Sequence, residues 1–394
     1  MTSREPLTLT EEQVLFFRAR RHFLVGPSAP DPTTAAYAII GAQTQQIEPG
    51  LLALSLRTQG RPNLAELKSL LLEGQRSLVR TWGQRETLFV FDAERDWVDM
   101  IVFVQQLSKG PRGTVIPEEY EQDEVLGQLQ NFGEPITRKS IHSLVPKSLI
   151  EKLRPNAEKY KMDPVHLGAG RLLFALSARG DMCLGPKLGA QQSYVLRTEC
   201  YPDLAWPSEL PEPKDVARRF VRRYLAAYGP ATVADIGHFF NARRSDVREW
   251  LGFLEEDTPL LDVTCEGREG MLALAEDRDE LLVEPPSRGG EWPVRLLPLY
   301  EALLMGHSDK SLTVPVEAEC KQIWRKAAHV MAVVMDRGRI VATWTQKRTK
   351  KILKMQVQPL SGWNKSQHLA GVELEAEAVA QHYGLSEIQF TLEE

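Results

Sequence analysis

Two glutamines near the start of the chain, Gln43 and Gln45, are the residues whose type and spacing suggest chemistry. They lie in the stretch Ala42-Gln43-Thr44-Gln45-Gln46, between two apolar, helix-like runs. A glutamine side chain offers donors and acceptors for hydrogen bonds but carries no charge. Such amides can hold a polar ligand or a water molecule in a cleft. Alternatively, they cap helix ends or tie down a loop.

The backbone conformation of this stretch decides whether the two side chains can act together. In an α-helix, residues two apart diverge, whereas in an extended segment they point the same way. Gly41 before the stretch and Pro49 after it both favour a break in the helix. We therefore expect a non-helical joint at which Gln43 and Gln45 converge on one point.

Composition sets the broad class of the protein. The chain has 394 residues, enough for roughly two to four domains. No apolar run approaches the ~20 residues that cross a bilayer, and the N-terminus has no signal-peptide core. These features predict a cytoplasmic protein with no membrane segment, metal or cofactor. The cysteines support this prediction because no pair has metal-ligand spacing; they are Cys183, Cys200, Cys265 and Cys320.

Charge distribution bears on nucleic-acid binding. The net charge is −5, which argues weakly against such binding, yet basic residues cluster in residues 218–248 and 337–354. An acidic protein can bind DNA when its basic groups share one face. The alternative is that these residues form the solvated faces of helices and strands.

The predicted elements repeat in one order along the chain. Helices precede predicted hairpins at residues 77–91, 182–196 and 260–274, and helices followed by a two-stranded wing form the winged-helix plan. We predict an α+β fold in which three tandem winged-helix units precede a small, β-rich, barrel-like domain. The predicted boundaries are 1–115, 116–210 and 211–284 for the winged-helix units and 285–394 for the C-terminal domain.

Five groups of residues occur in a specific order along nearly the whole chain. They are Gly41 to Gln45; Arg80-Thr81-Trp82 with Arg85 to Leu88; Arg223-Tyr224-Leu225 with Gly229 to Thr232 and Asp235; Leu297-Pro298 with Glu301 and Leu304-Met305-Gly306; and Trp324-Arg325-Lys326 with Gly338-Arg339 and Thr343-Trp344. Together they resemble the AlkZ/YcaQ-like bacterial proteins, a winged-helix group of DNA glycosylases. The first group looks like the Gln-x-Gln motif of that family.

Three positions depart from the family pattern. Thr44 stands where the middle residue of the motif is usually apolar, Phe89 where many members have histidine, and Glu301 where many have aspartate. These differences bear on substrate identity more than on fold. Members with Gln-x-Asp tend to be general, whereas Gln-x-Gln members include self-resistance enzymes for DNA-alkylating natural products.

The resemblance implies a monofunctional DNA glycosylase that hydrolyses the N-glycosidic bond of N7-alkylated purines. Bulky adducts and interstrand cross-links are further candidate substrates, in DNA repair or in self-resistance to an alkylating agent. Gln43 and Gln45 are the expected catalytic residues, which together hold the water and the deoxyribose of the lesion. The expected partner is double-stranded DNA, and the expected oligomeric state is a monomer.

Seven cationic residues are candidates for contacts to DNA. Arg57 and Arg85 lie close in sequence to the glutamine stretch and the first wing, and each could instead pair with Glu48 or Glu86. A basic turn at residues 347–351 could bind phosphate or could discourage edge-to-edge strand pairing. Besides Arg57 and Arg85, the candidates are Arg325, Lys347, Arg348, Lys350 and Lys351.

Two other classes of protein compete with the glycosylase hypothesis. A non-catalytic winged-helix DNA-binding protein, such as a transcriptional regulator, is the main alternative; such regulators usually dimerise to match two half-sites. A small-molecule hydrolase has no support, because the chain contains no nucleophile-elbow motif, phosphate loop or metal cluster.

Overall fold

The computed structural model describes residues 5–74, 76–107, 115–287, 291–326 and 328–393. The chain divides into two compact units, which we name the terminal unit (Met1–Lys68 and Lys214–Glu394) and the central unit (Ser69–Pro213). The first and last parts of the chain therefore belong to one unit. The division into four consecutive domains stays a prediction.

Several of the helices begin at a residue whose side chain caps the first turn. Thr10 and Thr232 each accept a hydrogen bond from the backbone N–H three residues on, which satisfies a donor that the helix itself leaves unpaired. The α-helices of the described residues are α1 (Glu11–Arg21), α2 (Pro32–Ala38), α3 (Ile47–Arg57), α4 (Leu64–Leu72), α5 (Trp97–Val102), α6 (Glu119–Leu129), α7 (Lys147–Tyr160), α8 (Pro164–Ala178), α9 (Arg197–Cys200), α10 (Pro213–Tyr228), α11 (Val233–Phe240), α12 (Arg244–Glu255), α13 (Arg278–Leu281), α14 (Ala302–Met305), α15 (Glu317–Ile323) and α16 (Lys365–His382).

The chain contains both helices and strands, so the fold is of the mixed α+β class. Within the described residues the strands are β1 (Leu7–Leu9), β2 (Ala42–Gln43), β3 (Leu78–Trp82), β4 (Leu88–Asp92), β5 (Ile136–Thr137), β6 (Met182–Leu188), β7 (Gln191–Leu196), β8 (Ala231–Thr232), β9 (Leu260–Cys265), β10 (Arg268–Leu274), β11 (Arg295–Leu297), β12 (Trp324–Arg325), β13 (His329–Val330), β14 (Ala332–Asp336), β15 (Arg339–Arg348), β16 (Ile352–Pro359) and β17 (Glu387–Leu392).

One sheet of the terminal unit joins the start of the chain to the last predicted wing. Its strand order is β1-β9-β10-β8, and β1 runs parallel to β9 with Leu7 opposite Val263. The antiparallel pair β9–β10 confirms the predicted hairpin at residues 260–274. Helices α10, α11 and α12 precede this hairpin in the chain. The expected order of helices followed by a hairpin is therefore present in this part of the chain.

The second large sheet of the terminal unit corrects the barrel-like prediction for the C-terminal domain. Among the described residues, its five strands lie in the order β11-β14-β15-β16-β17, and the two outer strands, β11 and β17, do not pair with each other. Because a barrel needs its outer strands to pair, this sheet is open. Helix α16 packs Val372 and Val379 into the core of this sheet.

The central unit contains two hairpins that the sequence predicts. In the first, β3 pairs antiparallel with β4 across a short 3₁₀ turn at Gln84–Glu86, with Trp82 opposite Leu88. In the second, β6 pairs with β7, and Met182 lies opposite Leu196. Both hairpins are confirmed.

Among the residues that the structure describes, no helix has both the length and the apolar character needed to span a bilayer.

Candidate active site

The glutamine stretch lies at a break between two helices, as the sequence predicts. Helix α2 ends at Ala38, and Gly41 adopts a φ of +85° while its N–H donates to the Ala36 carbonyl at 2.8 Å. This arrangement ends the helix with a residue in the left-handed region, which glycine adopts readily. Gln43 then belongs to β2, and α3 begins at Ile47.

The two glutamines differ in exposure. Gln43 is buried, with 6% of its surface exposed, whereas Gln45 and the neighbouring Gln46 are exposed. Strand β2 ends at Gln43, and Gln45 lies in the bend that follows it. The expected convergence of the two side chains on one point stays a prediction.

The start of α3 packs closely against the glutamine stretch. A Cβ atom added at Gly50 would collide with Cγ2 of Thr44 and would lie 2.8 Å from the carbonyl oxygen of Gln43. Thr44 is itself fully buried. This close approach fixes the backbone of Gln43 and Thr44 against the first turn of α3, so glycine at position 50 is required by space rather than by conformation.

Glu48, in that first turn, is paired with two cationic side chains. It forms ion pairs with Lys68, at 3.2 Å, and with Arg348. Burial acts to raise the pKa of the Glu48 carboxyl, but its hydrogen bonds and charge interactions with Arg348 and Lys68 outweigh burial and lower this pKa. Glu48 is therefore a carboxylate at neutral pH, which makes it a poor general acid.

The basic turn predicted at residues 347–351 is shorter in the structure. Lys347 and Arg348 are the last residues of β15, where Lys347 lies opposite Lys354, and residues 349–351 form the turn to β16. Lys347, Lys350 and Lys351 are exposed. Arg348 turns back onto the protein, where it pairs with Glu48 and lies 4.0 Å from the centroid of the Tyr383 ring. The fold thus brings Arg348 beside the start of α3, although the two segments are far apart in sequence. Arg348 is partly held by its contacts with Glu48 and Tyr383, while the three lysines face solvent.

The prediction that Arg57 contacts DNA needs correction. Its side chain has no exposed surface and forms an ion pair with Glu301, which is also fully buried. The Arg57 guanidinium also donates to the Ala53 carbonyl at 2.9 Å. Because this guanidinium cannot reach a phosphate, its role is structural. The proposed alternative partners, Glu48 and Glu86, are also wrong for this arginine.

Arg85 and Arg325 occupy different parts of the chain. Arg85 lies in the 3₁₀ turn of the first hairpin, is half-buried, and sits 5.6 Å from the centroid of the Phe89 ring. Arg325 is exposed and lines a shallow cleft of about 580 Å³ in the terminal unit. The residues that line this cleft are Lys321, Trp324, Arg325, Lys326 and His329. Its three cations favour an anionic ligand.

The three positions that depart from the family pattern are all buried. Thr44 packs near Gly50, Phe89 stacks on Phe91 with ring centroids 5.5 Å apart, and Glu301 pairs with Arg57. In the described part of the chain, no group of three or more histidine, cysteine, aspartate or glutamate side chains is placed to hold a metal ion.

Comparison with known proteins decides the family. A model of the family described as "DNA glycosylase AlkZ-like" matches residues 37–382. This chain belongs to the AlkZ-like DNA glycosylase family. It is therefore a DNA glycosylase, an enzyme that acts on DNA, rather than the regulator that the sequence left as an alternative.

Two comparisons with individual proteins agree with this assignment. A curated relative from Streptomyces sahachiroi, named "Interstrand DNA cross-link repair glycosylase", is 26% identical over 343 residues, which cover 84% of this chain and 86% of the relative. The solved structure of the Streptomyces sahachiroi DNA glycosylase AlkZ is 23% identical, with a TM-score of 0.76. That match covers 98% of this chain and 100% of the other, and it shows that the two share a fold.

Proposed function

We propose that this AlkZ-like enzyme hydrolyses the N-glycosidic bond of N7-alkylated purines in duplex DNA. Bulky adducts and interstrand cross-links are further candidate substrates, supported by the name of the Streptomyces relative. The observation that carries the proposal is the pair Gln43 and Gln45, held at a non-helical joint against the start of α3. The biological setting is DNA repair or self-resistance to an alkylating agent.

Neutral amides suffice for this reaction because the lesion supplies its own driving force. A purine alkylated at N7 carries a positive charge, so it leaves without a strong general acid. The sugar becomes cation-like in the transition state, as in other glycoside cleavages. What remains is to place a water molecule below the anomeric carbon and to stabilise the developing charge, which oriented carbonyl oxygens can do.

The two glutamines take different parts in this proposal. Gln45 is exposed, so its amide can meet the water and the deoxyribose directly. Gln43 is buried and precedes Thr44, whose side chain lies beside Gly50. In this proposal the packed environment holds the Gln43 amide in a fixed position. A fixed amide stabilises charge without reorganising during the reaction.

The duplex needs a separate set of contacts. We propose that tandem winged-helix units at residues 1–115, 116–210 and 211–284 hold it, and the helix and hairpin order of the third unit supports this arrangement. The exposed lysines of the basic turn and the cleft at Arg325 are the proposed phosphate contacts in the terminal unit. A monomer that clasps one lesion is the proposed form of the enzyme.

The charge of the leaving base provides the test of this function. Wild-type enzyme is expected to release base from a duplex with a single N7-methylguanine, and to leave a matched duplex with a single uracil intact. The reason is that glutamine is too weak a base or acid to assist a neutral leaving group. Abasic sites are measured by strand cleavage in alkali.

Equal release of the neutral base would contradict the proposed mechanism. If N7-methylguanine is bound but not released, duplexes with a bulky N7 adduct and with an N7 interstrand cross-link are assayed next. Failure to release base from any of the three cationic lesions would overturn the proposed function.

The basic turn yields a prediction about binding. Replacing Lys347, Lys350 and Lys351 together by glutamine is expected to weaken duplex binding equally for damaged and undamaged DNA. The slope of log K against log salt should fall in magnitude by about 2 to 3, because each phosphate contact contributes about 0.9. Fluorescence anisotropy over a series of salt concentrations measures this slope.

A single lysine elsewhere controls for the loss of charge. Lys214 is exposed and already pairs with Glu256 at 2.7 Å, so Lys214→Gln should leave the slope nearly unchanged. An unchanged slope in the triple variant would assign the turn to the other role considered for it, protection of the sheet against edge-to-edge pairing.

A further inference from the structure

We propose that Tyr228 and Arg223, both on α10, are positioning residues that hold the glutamine stretch in its working place. The inference rests on the proposed catalytic role of Gln43 and Gln45. In this proposal neither α10 residue touches DNA or the reacting atoms. Both act on the backbone that leads into the glutamine stretch.

The contacts are made to the carbonyl groups at the end of α2. The Tyr228 hydroxyl donates to the Ile39 carbonyl at 2.8 Å. The Arg223 guanidinium donates to the Tyr37 carbonyl, and its central carbon lies 3.7 Å from the centroid of the Tyr37 ring. The last carbonyl groups of a helix have no partner within it. Helix α10 supplies a donor for the Ile39 carbonyl and adds a second donor to the Tyr37 carbonyl, which also accepts from the Ile40 N–H at 3.2 Å.

The chain between these contacts and the active site is short and strained. Only Ile40, Gly41 and Ala42 separate Ile39 from Gln43. Ile40 has a φ of +57°, a conformation that is rare for a β-branched residue. Such a conformation persists only where the surroundings enforce it, and it is often found at functional sites. The hydrogen bond from Tyr228 is one contact that enforces it.

Tyr228 is itself firmly held. It is fully buried, and its ring stacks on that of Tyr224 with centroids 5.1 Å apart. The edge-on ring of His22 lies 4.6 Å away, and Nε2 of His307 lies 2.8 Å from the Tyr228 carbonyl. A hydroxyl fixed in this way transmits the position of α10 to the Ile39 carbonyl. The glutamine stretch is then located by α10 on one side and by Gly50 of α3 on the other.

The chain offers a matched control for the Tyr228 hydroxyl. Tyr224 lies on the same helix and is equally buried, and its hydroxyl donates to a different backbone carbonyl, that of Gly306, at 2.7 Å. Tyr224→Phe and Tyr228→Phe therefore delete the same group from the same helix. Each leaves one buried carbonyl without its donor, so both variants should lose a similar amount of thermal stability.

The test measures single-turnover release of N7-methylguanine at saturating enzyme, together with duplex affinity and melting temperature. Tyr228→Phe is expected to slow release at least about tenfold, since small displacements of catalytic groups cost rate, while its duplex affinity stays unchanged. Tyr224→Phe should release base at nearly the wild-type rate. Equal rates for the two variants would overturn the proposal.

Two further variants keep the test independent of folding. Arg223→Lys keeps the positive charge but loses the planar contact with Tyr37, so it should also slow release with duplex affinity unchanged. In the background that combines Gln43→Met with Gln45→Ala, Tyr228→Phe should have little additional effect if it acts through the glutamine stretch. A full additional tenfold loss there would contradict positioning. If the wild type itself releases no base, the proposed function fails, which is distinct from failure of this inference.

Discussion

Replacing Gln45 by alanine is expected to slow release of N7-methylguanine by at least about 10²-fold, the usual effect of removing one preorganised polar group from an active site. Duplex affinity should change by less than about twofold, because phosphate contacts dominate binding. Gln45 is exposed, so its replacement leaves no cavity in the core. Single-turnover kinetics by alkaline cleavage measures the rate, and anisotropy measures affinity.

The adjacent glutamine supplies the control for this experiment. Gln46 is exposed like Gln45, and its side chain makes no capping hydrogen bond although it is the N-cap residue of α3. Gln46→Ala should therefore release base at nearly the wild-type rate. If Gln45→Ala also keeps full activity, the proposed chemistry is wrong.

Gln43 needs a different substitution because it is buried. Gln43→Met keeps the length and much of the volume of the side chain while it removes the amide, so its effect on packing is small. Its release rate should fall by a similar factor, about 10²-fold. A loss in Gln43→Met that is matched by a lower melting temperature alone, with release restored on cooling, would assign Gln43 to stability instead.

Local signals in the sequence predict the break at the glutamine stretch and the hairpins. Gly41 and Pro49 each act on their own backbone, and the turns at 83–86 and 349–351 join strands that are neighbours in the chain. Such features depend on a few adjacent residues, so their physical causes are visible without a structure.

Long-range features could not be predicted in this way. The ion pair of Arg57 with Glu301 joins residues 244 apart, and that of Arg348 with Glu48 joins residues 300 apart. The sequence shows the charges but not which of many carboxylates each arginine meets. The open C-terminal sheet is also a long-range feature. Strand β17 pairs parallel with β16 and so becomes an outer strand, and the alternation of apolar and polar residues in a strand does not show which strand it pairs with.

The exposure of the two glutamines was also beyond sequence reasoning. Gln43 and Gln45 have the same side chain and nearly the same neighbours, yet only Gln43 is buried. The difference arises because Thr44 and Gln43 pack near Gly50 while the chain bends away after Thr44. Which neighbours a short loop packs against depends on tertiary structure, and the family motif alone assigns both residues the same importance.

Breaking the buried ion pair at the end of α3 is expected to be strongly destabilising. Arg57→Ala should lower the free energy of unfolding by about 3 to 5 kcal/mol, because it leaves the Glu301 carboxylate buried without its partner. Neither side chain has exposed surface, so solvent does not screen the loss. Urea unfolding followed by circular dichroism measures the change through the midpoint and the slope.

Two comparison variants show whether the loss comes from the unpaired charge. Arg57→Met combined with Glu301→Leu removes both charges and should recover much of the stability, since apolar pairs of similar volume often replace buried ion pairs without loss. Recovery should be incomplete, because Glu301 also accepts a hydrogen bond from the Leu303 N–H at 3.1 Å.

Lys214→Ala breaks an exposed ion pair and should change stability by less than about 1 kcal/mol. A similarly small change in Arg57→Ala would mean that α3 does not depend on this ion pair for its position.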